Sequence, residues 1–174
     1  MHVFEEILGI PAHPLLVHAA VVFVPLQIVA ALAYALVPFV RRYIAWFVAG
    51  IAVIAPITVF TAKLSGDAFR ARKIRIGAAS DELLASIDQH SSFGLRTLYA
   101  SLVLSVLMLL MLFVQTRSLR GVDSAVEAET STPAKGSMAL GIILTVAVLG
   151  AGATAGYFVF KTGDSGAKMV WTGS

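Results

Sequence analysis

Ile10-Pro11-Ala12-His13-Pro14-Leu15-Leu16-Val17-His18-Ala19-Ala20 opens the first long apolar run of the chain. Proline at the start of such a run suits the first turn of a helix, where its missing N–H would have no intrahelical partner, so Pro14 predicts a helix that begins at the histidines. His13 then neighbours the N-cap and His18 lies about one turn inside. An imidazole is costly to place in hydrocarbon, and it binds protons, metal ions and haem iron. The entrance of this helix is therefore where chemistry is to be sought.

Around that stretch the composition is that of an integral membrane protein. Of 174 residues, 58% are hydrophobic and only 13% charged, with a mean hydropathy of +0.86, beyond what a soluble domain tolerates. Cysteine is absent, which excludes disulfides, thiolate metal sites, iron–sulfur clusters and covalent c-type haem. Any metal must be held by histidine, carboxylate or carbonyl. The net charge of +3 comes from bases that flank apolar spans, a pattern that orients helices and meets lipid headgroups rather than nucleic acid. Glu5 and Glu6 replace the basic n-region of a signal peptide, so the first span is expected to be retained.

A helix needs roughly 20 apolar residues to cross the hydrocarbon. Four segments qualify, at about 14–40, 43–63, 95–116 and 138–160, and predict an all-α, four-helix transmembrane bundle forming one domain. Residues 1–9 read as an interfacial turn. Pro38 to Tyr43 form a very short hairpin, so the first two helices are antiparallel neighbours. Leu64-Ser65-Gly66-Asp67 reads as a helix stop, followed by an interfacial segment to residue 94 with Arg70, Arg72, Lys73 and Arg75 on the headgroups. Ser80, followed by Asp81 and Glu82, reads as an N-cap with an acidic first turn. Residues 117–137 read as a flexible polar loop. Gln27, roughly opposite His18 on the first helix, predicts an interhelical hydrogen bond. Gly152-x-x-x-Gly156 predicts a close helix–helix approach, with a second copy as one partner. Both termini then share one side, taken as the outer side of a bacterial inner membrane, together with His2, His13, His18, His90 and Asp164.

A haem or metal ion needs imidazole nitrogens from different helices about 2 Å from the metal. His18 and His90 are the expected ligands, with His13 as a third or supporting one. Gly94, one turn after His90, would leave room for a flat macrocycle, and Arg96 would pair with propionates. The spacing from His13 to His18 differs from the i, i+4 pair of a single-helix zinc motif. Two further readings stay open: histidines that only cap helix ends in a structural or accessory protein, and a small transporter. The last is disfavoured because no internal repeat is seen and almost no charge is buried. His2 is read as a terminal residue without a role. No nucleophile–base pair, phosphate loop or paired intramembrane carboxylates occur, so nothing points to an enzyme.

The block His13-Pro14-Leu15-Leu16-Val17-His18 with Pro25, together with His90-x-x-x-Gly94 and Thr162-Gly163-Asp164-Ser165-Gly166-Ala167, resembles the bacterial predicted-membrane-protein family named domain of unknown function 2231. The resemblance covers nearly the whole chain. It implies a four-helix membrane protein, and the fusion of some members to modules like Rieske or cytochrome c domains implies an association with redox partners. Relatives often carry Phe-Pro where this chain has Ala19-Ala20, and often histidine where it has Asp164. The set carried over is thus His13, His18 and His90.

Overall fold

The computed structural model describes residues 6–7, 10–125 and 135–171, with side chains described for 12–116 and 138–171. Four helices make the bundle: α1 (Ala12–Leu36), α2 (Arg41–Arg75), α3 (Asp81–Ala125) and α4 (Lys135–Trp171). All four are long and apolar enough to cross a membrane. Ahead of them, β1 (Glu6–Ile7) pairs antiparallel with β2 (Ile10–Pro11), in place of part of the expected interfacial turn. The rest of that turn, and His2, lie outside the described residues.

The surface is the reverse of a soluble protein's. Val22, Val29, Trp46, Val106, Ile143 and Val146 are exposed, whereas Ala30, Ala31, Ala35, Ala52, Ala55 and Ala155 are buried. Lipid tails are as apolar as any core, so large side chains gain little by turning inward, while small ones let helix backbones approach. The core along the bundle axis is completed by Tyr34, Val48, Ile51, Leu104, Met108 and Val148.

The α1–α2 connection is as short as Pro38 suggests, a 3-10 turn over Pro38–Val40. Arg41 closes it: its Nε donates to the Tyr34 carbonyl at 2.8 Å and a terminal nitrogen to the Ala35 carbonyl at 2.7 Å, satisfying carbonyls at the end of α1 that have no intrahelical partner. At mid-bundle the predicted role of Gln27 is met. Its amide donates to the Ser101 carbonyl at 3.1 Å and to Ser105 Oγ at 2.8 Å, and accepts from Ser101 Oγ at 2.8 Å.

Two expectations need correction. α2 does not stop at residues 64–67 but runs on to Arg75, because Ser65 bonds back to the Ala62 carbonyl within the helix and Gly66 serves packing rather than termination. The stop comes at Gly77, whose φ of 66° ends α2 in a Schellman turn, with Gly77 N–H on Ile74 O and Ala78 N–H on Lys73 O. Ser80 then caps α3 as expected, its Oγ accepting from Leu83 N–H at 3.2 Å. Second, residues 117–125 and 135–137 of the predicted loop belong to α3 and α4, while 126–134 lie outside the described residues. The Gly152/Gly156 face has a close neighbour within the chain: a side-chain carbon at either glycine would meet Ile28 of α1, at 3.7 and 3.8 Å.

Candidate functional site: a histidine pair at one end of the bundle

At about 1.5 Å per residue α2 is roughly 50 Å long, well beyond the ~30 Å hydrocarbon core. Its last turns and the first turns of α3 therefore extend past the bilayer, tied together by the Arg70–Asp88 ion pair at 2.6 Å. Where this extension begins, four helices contribute to one cluster: His13 at the start of α1, Ser65 and Gly66 on α2, His90 on α3, and Ser165 and Gly166 near the end of α4.

The His13 and His90 ring centroids are 6.1 Å apart, with planes 84° from parallel. Phe69 stacks beside His13 at 6.3 Å. His13 Nδ1 lies 3.1 Å from the Ala62 carbonyl and 3.0 Å from Ser65 Oγ. A carbonyl can only accept, and the Ser65 proton is given to that same carbonyl at 2.7 Å. His13 Nδ1 must therefore carry the hydrogen. On the other side, His90 Nδ1 lies 3.0 Å from Ser165 Oγ, whose proton goes to the Thr162 carbonyl at 3.0 Å. His90 Nδ1 is the donor here too. Both rings thus hold their hydrogen on the nitrogen facing the neighbouring helix, and each Nε2 keeps a bare lone pair. The described residues include no buried side-chain nitrogen or oxygen without a hydrogen-bond partner, and no bond to either Nε2 occurs among them, so neither Nε2 is sealed inside the protein.

Glycine fixes the ring positions. A side-chain carbon at Gly66 would stand 3.0 Å from His13 Cε1, and one at Gly166 would stand 3.1 Å from His90 Cε1. Glycine inside a helix costs roughly 0.5–1 kcal/mol relative to alanine; here that cost admits an imidazole against the helix backbone. Deeper in the bundle Val24, Val59 and Leu98 form an apolar cluster with Val159 packed against it. Thr97 and Thr162 are hydrogen bonded at 2.9 Å.

The structure joins His13 to His90; the expected pairing was His18 with His90. His18 is exposed, and its one hydrogen bond among the described residues is to Pro14 O of its own helix. Five residues at ~100° each turn His18 about 140° away from His13, so the two cannot serve one site. Among the described residues no three histidine or carboxylate side chains gather as metal ligands. Gly94 borders open space, with nothing within 4 Å of an added side-chain carbon. Arg96 lies over the Phe93 and Phe158 rings at 5.8 and 5.9 Å, a cation–π placement. Asp164 pairs with Lys168 on the surface at 2.9 Å. Sequence reasoning missed Ser65, Gly66, Ser165 and Gly166, although the Ser-Gly pair stands near the end of two apolar runs.

No curated protein and no solved structure matches the chain. A family model for predicted membrane proteins, DUF2231, matches residues 9–174, which takes in every element of the histidine cluster, and the chain belongs to that family.

Proposed function

We propose that this protein is a small, non-catalytic, redox-associated membrane subunit in which His13 and His90 together ligate one metal centre through their Nε2 atoms. The observation that carries the reading is the pair of bare Nε2 lone pairs, from two helices, with each ring's other nitrogen tied to a neighbouring helix. Metal-ligating imidazoles characteristically donate their second N–H to a carbonyl or similar acceptor, which orients the ring and raises its basicity. His13 and His90, with ring centroids 6.1 Å apart, would hold such a centre between them.

The donor set is two neutral nitrogens. That suits a b-type haem iron, which brings its other four ligands, or a late transition-metal ion, and does not suit magnesium or calcium, which take oxygen. When bound, such a centre supplies one-electron chemistry. The chain's own residues would hold the ligands: the Ala62 carbonyl with Ser65 Oγ, and Ser165 Oγ, accept from the Nδ1–H groups, and Gly66 and Gly166 admit the rings. Gly94 offers the open flank for a macrocycle, while Arg96 would have to leave its aromatic stack to meet a propionate. The redox association rests on the family resemblance, and the setting is a bacterial inner membrane with both termini outside.

The test is protein purified in mild detergent from haem- and metal-replete cells, with oxidised and dithionite-reduced spectra and elemental analysis of one sample. A Soret band that shifts on reduction, or one stoichiometric metal per chain, supports the reading; a colourless, metal-free sample refutes it. A second reading has its own observation, because each Nδ1 bond pins one helix to the next and would serve a purely structural protein. His13→Gln separates the two, since its amide can still donate to Ala62. Under the proposal that variant folds and loses its guest; under the structural reading there is none to lose.

A further inference from the structure

The cluster is built twice over. His13 on α1 meets Ser65-Gly66 on α2, and the Ala62 carbonyl accepts from that ring. His90 on α3 meets Ser165-Gly166 on α4, and the Thr162 backbone, at the position matching Ala62, acts on that ring. The correspondence continues at several positions down the helices and lapses at others, such as buried Leu98 against exposed Val21. Counting from His13 and from His90, the matched positions Val24 and Ser101, Gln27 and Leu104, Ala31 and Met108, and Tyr34 and Met111 are all buried. Counting back from Ser65 and Ser165, so are Val48 and Val148, Ala52 and Gly152, and Ala55 and Ala155. The hairpins α1–α2 and α3–α4 therefore use one layout, contrary to the absence of a repeat read from the sequence. Between α1 and α3 the histidines are identical but none of these buried pairs is, and the two connections differ in length, so the repeat is hard to see in the letters.

We infer that the site is the junction of two equivalent half-sites, one per hairpin, in which Ser65 and Ser165 are matched positioning residues that hold the two imidazoles in the Nδ1–H form toward one guest shared by both halves. This rests on the metal-centre reading above and adds to it the equivalence of the halves. Chain order runs from ligand to Ser-Gly in each hairpin, so the halves face each other across an axis along the bundle, and a guest between the rings meets the same donor from either side. Gln27 against Ser101 and Ser105, deeper in, is where the halves differ: glutamine stands where the other hairpin has Leu104, and Ser101 where it has Val24.

The experiment uses the full chain in detergent, labelled with 15N-histidine, comparing wild type with Ser65→Ala, Ser165→Ala, Ser65→Thr and Ser165→Thr. Nitrogen shifts read the tautomers, and titration with haemin, and separately with zinc(II), reads affinity. Both alanine variants are expected to weaken the bound probe about 10-fold, to equal extents. Each should also raise in part the Nε2–H fraction of its own histidine, the neighbouring backbone carbonyl still holding some of the Nδ1–H form, with threonine restoring wild-type behaviour. A merely structural serine would lower Tm without moving the tautomer. The inference is overturned if only one serine matters, or if neither tautomer nor affinity changes. Should wild type bind neither probe, the metal-centre reading falls, while equal and separate tautomer shifts in the two alanine variants would still uphold the matched half-sites.

Discussion

Two polar clusters cross between helices in this bundle, and they differ in how they are satisfied. Around Gln27 every side-chain polar group has its partner inside the protein: the amide donates to Ser101 O and Ser105 Oγ, and Ser101 Oγ returns a bond to the amide oxygen. Gln27 and Ser101 are fully buried. Such a closed network fixes which helices pack together and has nothing left to offer a ligand. The His13–His90 cluster is only half closed. Its Nδ1 atoms are satisfied and its Nε2 atoms are not, and it stands at the end of the bundle, where a guest can arrive. Buried polar groups that are fully paired speak of structure; paired groups that leave identical lone pairs pointing outward from the network speak of function.

The comparison breaks most sharply under loss of a ring. His13→Ala and His90→Ala should each abolish guest binding, read as loss of the Soret band or of bound metal, while the protein still inserts. Gln27→Leu should leave the guest in place. Next in size is stability. Gln27→Ala removes several interhelical bonds and leaves a cavity, so it should destabilise by about 2–3 kcal/mol in a detergent unfolding assay without changing guest content. Acid offers a third handle. A protonated Nε2 cannot bind metal, so occupancy should fall only as the pH drops below the ordinary imidazole range of about 6.5, whereas the Gln27 network has no group that titrates there. Gly66→Ala and Gly166→Ala should act more gently, forcing each ring to shift by a few tenths of an ångström and costing on the order of 1 kcal/mol, visible as a several-fold loss of affinity in a probe titration. Smallest of all, His18→Ala should stay within about 0.5 kcal/mol of wild type, with full guest content.

The fold was largely legible because a membrane asks for long apolar runs and the chain has four of them. Pro38, Ser80 and Gln27 each gave a local feature that physics makes nearly obligatory: a tight hairpin, a cap and an interhelical bond. The site was less legible. The sequence offers His13 and His18 as equals, and only the position at which α1 begins against α2 decides which ring meets Ser65. Ser65-Gly66 looked like a helix stop, because small polar residues end helices as often as they make room inside them. The doubling of the site was hidden because along α1 and α3 burial, and not identity, is what most matched positions share: a valine answers a serine and a glutamine a leucine, since each needs only to fit its own neighbours.

The most direct test of the account is the guest content of His13→Ala set beside that of His18→Ala, both purified from haem- and metal-replete cells and measured by absorption and elemental analysis. The account predicts a guest retained at wild-type level in His18→Ala and lost in His13→Ala. A guest lost in His18→Ala and retained in His13→Ala would contradict it.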